Sequence, residues 1–191
     1  IIGPNHHALG APVAVTSEDF QTPLGRMQID LEIVDRMKSV VVDDPMAHRY
    51  EHSIEVQIPF IQYFSEEVKI VPIAMAAQDY ETAKEVAEEL KHAIGSKDVV
   101  ILASTDFSHY VPASEARRMD QAVIDKILAM DAEGVYDTVI RKDVSMCGYG
   151  PVMVTMLACG AERASLLNYG NSGDVTPMRD VVGYASLILT R

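Results

Sequence analysis

The sequence predicts an α/β fold built on a largely parallel central sheet, and three observations point to it. Val99, Val100, Ile101, Leu102 and Ala103 form an unbroken apolar run with no polar alternation, the pattern of a strand covered on both faces. A strand-like stretch, Val68 to Met75, a one-sided helical stretch and then this run follow one another, the order of a right-handed parallel crossover. The run ends abruptly in Ser104-Thr105-Asp106-Phe107-Ser108-His109, and loops beyond the carboxyl ends of such strands are where α/β sheets build ligand crevices. With 191 residues, 48% of them hydrophobic, one sizeable core and a single domain over residues 1–191 are expected.

Taken in order, Ile1-Ile2 reads as the end of a buried strand and Gly3-Pro4-Asn5-His6-His7 as the turn that follows it. A domain rarely begins in mid-strand, so an amino-terminal segment is expected to be absent, leaving a sheet edge that favours homo-oligomers. Val13 to Thr16 is a short strand, Thr22 to Gly25 a turn, and Asp30 the N-cap of a short helix presenting Ile33, Val34 and Met37. The acidic stretch from Asp43 to Glu51 lacks periodicity and reads as an exposed loop. Helical spacing returns from His52 to Phe64, with His52 and Glu55 in a capping arrangement and Pro59 as a kink or stop.

Pro72 places the strand Val68 to Met75 near an edge or bulge. Ala83, Val86, Ala87, Leu90 and Ile94 share one helix face that ends at Gly95. Ala116, Met119, Val123, Ile127 and Met130 define another helix, and a further piece runs from Ala132 to Ile140. Pro151 belongs in the first turn of a helix that buries Val152, Met153, Met156 and Leu157. Strands at Ala164–Tyr169 and Val181–Leu189 close the chain.

The formal charge of −12 and pI near 4.8 exclude nucleic acid and acidic lipid surfaces as natural partners, because both require a basic face. No apolar run approaches the ~20 residues of a membrane span, and no cationic, apolar leader opens the sequence, so a cytoplasmic location is expected. Two cysteines, Cys147 and Cys159, suit a reduced state.

Three loops offer chemistry at element ends. His6 and His7 follow the first strand, and adjacent side chains diverge, so one of them faces any given ligand as metal ligand or base; the bland alternative is a turn-capping histidine. Asp106 and His109 form either an acid/base pair or a local turn. Cys147 precedes a Pro-initiated helix whose amides favour thiolate, the form that binds soft metals; the alternative is an inert packed thiol. Cys159 reads as buried filler, His48 and His92 as surface residues, and His52 with Glu55 as a cap rather than a ligand pair.

GPNHH at 3–7, EHSIE at 51–55, STDFSH at 104–109, MCG at 146–148, LNYGNSGD at 167–174 and VGYASLIL at 182–189 together resemble the MEMO family, which also supplies protein B of the AmmeMemoRadiSam system. The resemblance implies a mixed, largely parallel central sheet with helices on both faces, similar to class III extradiol dioxygenase subunits. It implies a metal-binding crevice with His6 and Cys147 as ligands and with Asp106 and His109 lining the pocket. The family's further ligand lies in an upstream Pro-His-Ala-Gly motif that this sequence lacks. The donor set favours Fe(II) or Cu(I), with Zn a weaker fit. Three readings follow: a metal-dependent redox or dioxygenase-like enzyme acting on a small molecule, with His109 as acid/base steered by Asp106; a non-catalytic protein holding a peptide or a metal; and a metal-free hydrolase with Cys147 as nucleophile.

Overall fold

The computed structural model describes residues 1–65 and 67–191. Its first sheet joins β1 (Ile2–Pro4), β2 (Val13–Val15), β5 (Val42–Asp43) and β6 (Ile73–Met75) in the order β1-β6-β2-β5. β1 runs parallel to β6 and β2 parallel to β5, while β2 and β6 are antiparallel. Between β2 and β5 lie the hairpin of β3 (Phe20–Thr22) and β4 (Gly25–Met27), closed by the expected turn, and the helix α1 (Leu31–Val34). Asp30 caps α1 as its position predicts, accepting from the N–H groups of Glu32 and Ile33. A second, antiparallel sheet has the order β7-β9-β8, formed by β7 (His109–Pro112), β8 (Arg163–Asn171) and β9 (Asp180–Thr190). The mixed α/β class is therefore the one the sequence predicts, and β7 and the β3–β4 hairpin are additions to it.

The amphipathic stretches fold as their spacing requires. They form α3 (Tyr80–Ile94), α4 (Ala113–Leu128) and α5 (Ala132–Lys142), and the Pro151 segment forms α6 (Tyr149–Ala158). α3 buries Ala83, Val86, Ala87 and Leu90 and ends at Gly95. Residues 150–156 of α6 are all buried, so this helix is enclosed rather than amphipathic. α3 and α5 pack against it, and it touches β1.

Four expectations are corrected. Val99–Ala103 is not a doubly covered strand: only Ala103 bridges β1, at Ile2, and Val100 is 91% exposed. The segment lies on the outer side of β1, so its apolar run covers one flank and borders a groove of about 650 Å³ lined by Ile1, Ile61, Ile94 and Val100. β6 is an interior strand, and Pro72 is tolerated because it precedes the ladder. The helix expected from His52 begins only at α2 (Ile58–Phe64), after a 3-10 turn at Glu55–Gln57; Pro59 sits in its first turn, and neither element has a side-chain cap. The acidic stretch is not uniformly exposed either, since Glu51 is buried.

The two sheets meet at residues 107–108. The Phe107 N–H donates to the Gly183 carbonyl, and the Gly183 N–H to the Ser108 carbonyl, each at 2.9 Å. Fully buried Asp120 accepts from Ser108 N (2.9 Å), Ser108 Oγ (2.5 Å) and Tyr169 Oη (2.7 Å). Any Cβ at position 183 would overlap the Asp120 carboxylate, which is why β9 carries glycine there.

Candidate metal centre

β1, β6 and the segment at 102–104 run in the same direction, so their carboxyl ends open on one edge of the sheet. His6 leaves β1 at that edge, Gln78 follows β6, and Asp106 and His109 follow the outer segment. Two further pieces of chain are tied to the same edge. Ser53 Oγ donates to the Pro4 carbonyl at 2.8 Å, and a Cβ at Gly3 would overlap that hydroxyl; the absence of one lets residues 51–53 lie on β1. Gln78 donates through Nε2 to the Cys147 carbonyl (2.9 Å) and accepts from the Gly150 N–H (2.8 Å), while the Gly148 N–H donates to Thr105 Oγ1 (2.9 Å). Cys147 is thereby held between the loops that flank β1.

Glu51 is the anchor of this edge. Its carboxylate accepts from His6 N, His6 Nδ1 (2.9 Å), His52 N (2.8 Å) and Ser53 N (2.8 Å). Burial pushes the Glu51 carboxyl up, but the His6 ring and the N–H groups of Ser53 and His6 outweigh it and hold the group down at about 2. Three of these donors, His6 Nδ1, His52 N and Ser53 N, converge on Oε1, and His6 N alone reaches Oε2. Through Oε1 Glu51 orients the His6 ring, and His6 Nε2 is left open. The His52 ring stacks on that of His6 at 4.7 Å with an 18° interplanar angle, and its Nδ1 lies 3.4 Å from Glu51 Oε1. The ligand atoms of His6, Glu51 and His52 all lie within 4.8 Å of one another.

His109 is fixed by Ser145, not by Asp106. Its ring Nδ1 lies 2.6 Å from the Ser145 carbonyl and its backbone N–H donates to Ser145 Oγ at 2.7 Å. A carbonyl only accepts, so Nδ1 carries the proton and Nε2 is the basic nitrogen. Asp106 Oδ2 stands 3.8 Å from that Nε2, too far for a direct hydrogen bond.

The Asp106 N–H donates to Cys147 Sγ at 3.2 Å. Burial nevertheless pushes the Cys147 thiol up, against that N–H and the Thr105 hydroxyl. The expected bias toward thiolate is corrected accordingly: Cys147 precedes the Gly148 N-cap, outside the first helical turn where the dipole acts. His7 is exposed, His92 is exposed as expected, and Cys159 is half-buried. His48 is half-buried rather than superficial; its Nε2 lies 3.3 Å from the Ala14 carbonyl, and burial lowers its pKa.

Glu51, the pairing of His52 with it, and Ser145 are what sequence reasoning missed. The available signal was Ser53, a hydroxyl next to a carboxylate and an imidazole just before buried Ile54 and Ile58. His6 Nε2 and Cys147 Sγ are nitrogen and sulfur donors, types that suit borderline or soft transition ions, while Glu51 Oε1 accepts from His6 Nδ1 and from the main-chain N–H groups of His52 and Ser53.

The chain is similar to known proteins over nearly its whole length. A MEMO1 family protein of Archaeoglobus fulgidus is 49% identical over 194 residues, covering 98% of this chain and 74% of the relative. A MEMO1 family protein of Methanosarcina mazei is 49% identical over 197 residues, with 99% and 74% covered. A third, from Methanopyrus kandleri, is 44% identical over 202 residues, with 100% and 71% covered. The sequence pattern of Memo-like proteins matches residues 1–188, and the chain belongs to that family.

Proposed function

We propose that this chain is a metal-binding protein whose ion is held by His6 and Cys147 at the carboxyl edge of the first sheet, next to a small-molecule crevice. The observation that carries the reading is the Glu51–His6 pair. A buried carboxylate held at about 2 grips His6 through Nδ1, the outer support that metal-binding imidazoles characteristically have. Fe(II) or Cu(I) is the ion favoured here; Zn also suits nitrogen and sulfur donors but supplies no redox chemistry. When bound, such an ion supplies Lewis acidity or electrons for redox or dioxygenase-like chemistry.

The chain's own residues supply the rest. His109, held as the Nδ1–H form by Ser145, takes up a proton at Nε2. Asp106 Oδ2 stands 3.8 Å from that nitrogen and flanks the position where the proton is exchanged. The raised Cys147 pKa disfavours a free-thiol nucleophile and couples loss of the thiol proton to metal binding.

Elemental analysis of protein purified without added metal, beside His6→Ala, Cys147→Ala and His109→Ala, tests the reading. Parent and His109→Ala should retain iron or copper, and the other two should lose it. Retention of the parent's metal content by His6→Ala would refute the assignment.

A further inference from the structure

We infer that His52 is a ligand of the same ion, so that an imidazole pair set on one carboxylate, His6 with His52, serves the centre together with Cys147. The inference rests on the metal-binding reading above and adds a donor to it. Both rings turn Nδ1 toward Glu51 Oε1, at 2.9 Å from His6 and 3.4 Å from His52. They are stacked and nearly parallel, so both Nε2 atoms leave on the side away from the carboxylate. With Glu51 Oε1 accepting from three N–H groups, these two nitrogens are the open nitrogen donors of the cluster.

The position of His52 is built rather than incidental. Its own N–H donates to Glu51 at 2.8 Å, which fixes its backbone against the residue that orients His6. The helix-capping role that its place in the sequence suggests is not exercised: the N-caps of the 3-10 turn and of α2 are Ile54 and Gln57, and neither makes a side-chain bond. Its side chain is 62% exposed against 32% for His6, so His52 is the donor on the solvent side. Two imidazole nitrogens on one tetrahedral ion sit ~3.3 Å apart, given metal–nitrogen bonds of ~2.05 Å. The two ring centroids are 4.7 Å apart, and rotation of the exposed His52 ring brings its Nε2 toward that of His6.

Titrating the metal-stripped chain with Co(II) and Zn(II), for the parent, His52→Ala, His52→Gln, His6→Ala and Cys147→Ala, tests this. Both His52 variants should bind at least ~10-fold more weakly. Their Co(II) forms should keep the thiolate charge-transfer band from Cys147, with altered ligand-field bands. Without metal they should melt with the parent, because the ring is exposed. Parent-like affinity and ligand-field bands in the His52 variants, with His6→Ala weakened, would overturn the inference and leave the metal-binding reading standing. Parent-like affinity in His6→Ala would defeat that reading itself.

Discussion

At the scale of single residues, Glu51 shows how a charge is made structural. Its ordinary carboxyl value is 4.5, and the folded chain holds it at about 2. A depressed carboxyl stabilises the fold above its unfolded value, and that contribution disappears as the pH falls through the folded one. Allowing for solvent screening, the gain at neutral pH is roughly 2 kcal/mol. Glu51→Gln should therefore be less stable than the parent by about that amount in urea unfolding at pH 7, and the gap should narrow between pH 4.5 and 2. His6, Asp106, His109 and Cys147 stand out in the sequence because each lies at a turn or at the end of an element, where side chains can converge. Glu51 does not, since an acid at the end of a stretch that also holds Asp43 and Asp44 looks solvated until Ser53 is seen to tie it to Pro4.

At the scale of elements, helical periodicity was the dependable signal. α3, α4 and α5 bury one stripe each, and that stripe is visible in sequence. Continuous apolarity was a weaker guide, because it does not say how many sides of a segment are covered; hence the misreading of Val99–Ala103. β7 was missed because it is only four residues, ends in proline and alternates between half-buried and exposed positions. The element most sensitive to substitution is β9 where it passes Asp120. Gly183→Ala should displace that carboxylate from Ser108 and Tyr169, costing ~2–4 kcal/mol in chemical denaturation. It should also move the His109 ring resonances in NMR, since Ser108 is its neighbour in the chain.

At the scale of the whole molecule, fold class and family were legible across the chain, whereas the segment that forms the exposed flank is identified only in three dimensions. Val99 and Val100 border the groove on the outer side of the sheet, and an uncovered edge of this kind templates strand pairing between copies. The charge of −12 opposes such contact and is screened by salt. Sedimentation should show self-association that strengthens with ionic strength and is weakened by Val100→Lys. That variant lowers the net negative charge, so charge alone would drive the opposite result.

The hydrogen bonds between Phe107–Ser108 and Gly183 make the two sheets a single mechanical unit. β9 thus sets the posture of the loop at residues 105–109, so the candidate site draws on segments far apart in sequence. Neither sheet is a transplantable module: a graft of the four-stranded half into another scaffold would carry His6 and Glu51 but lose the stitching that aims His109.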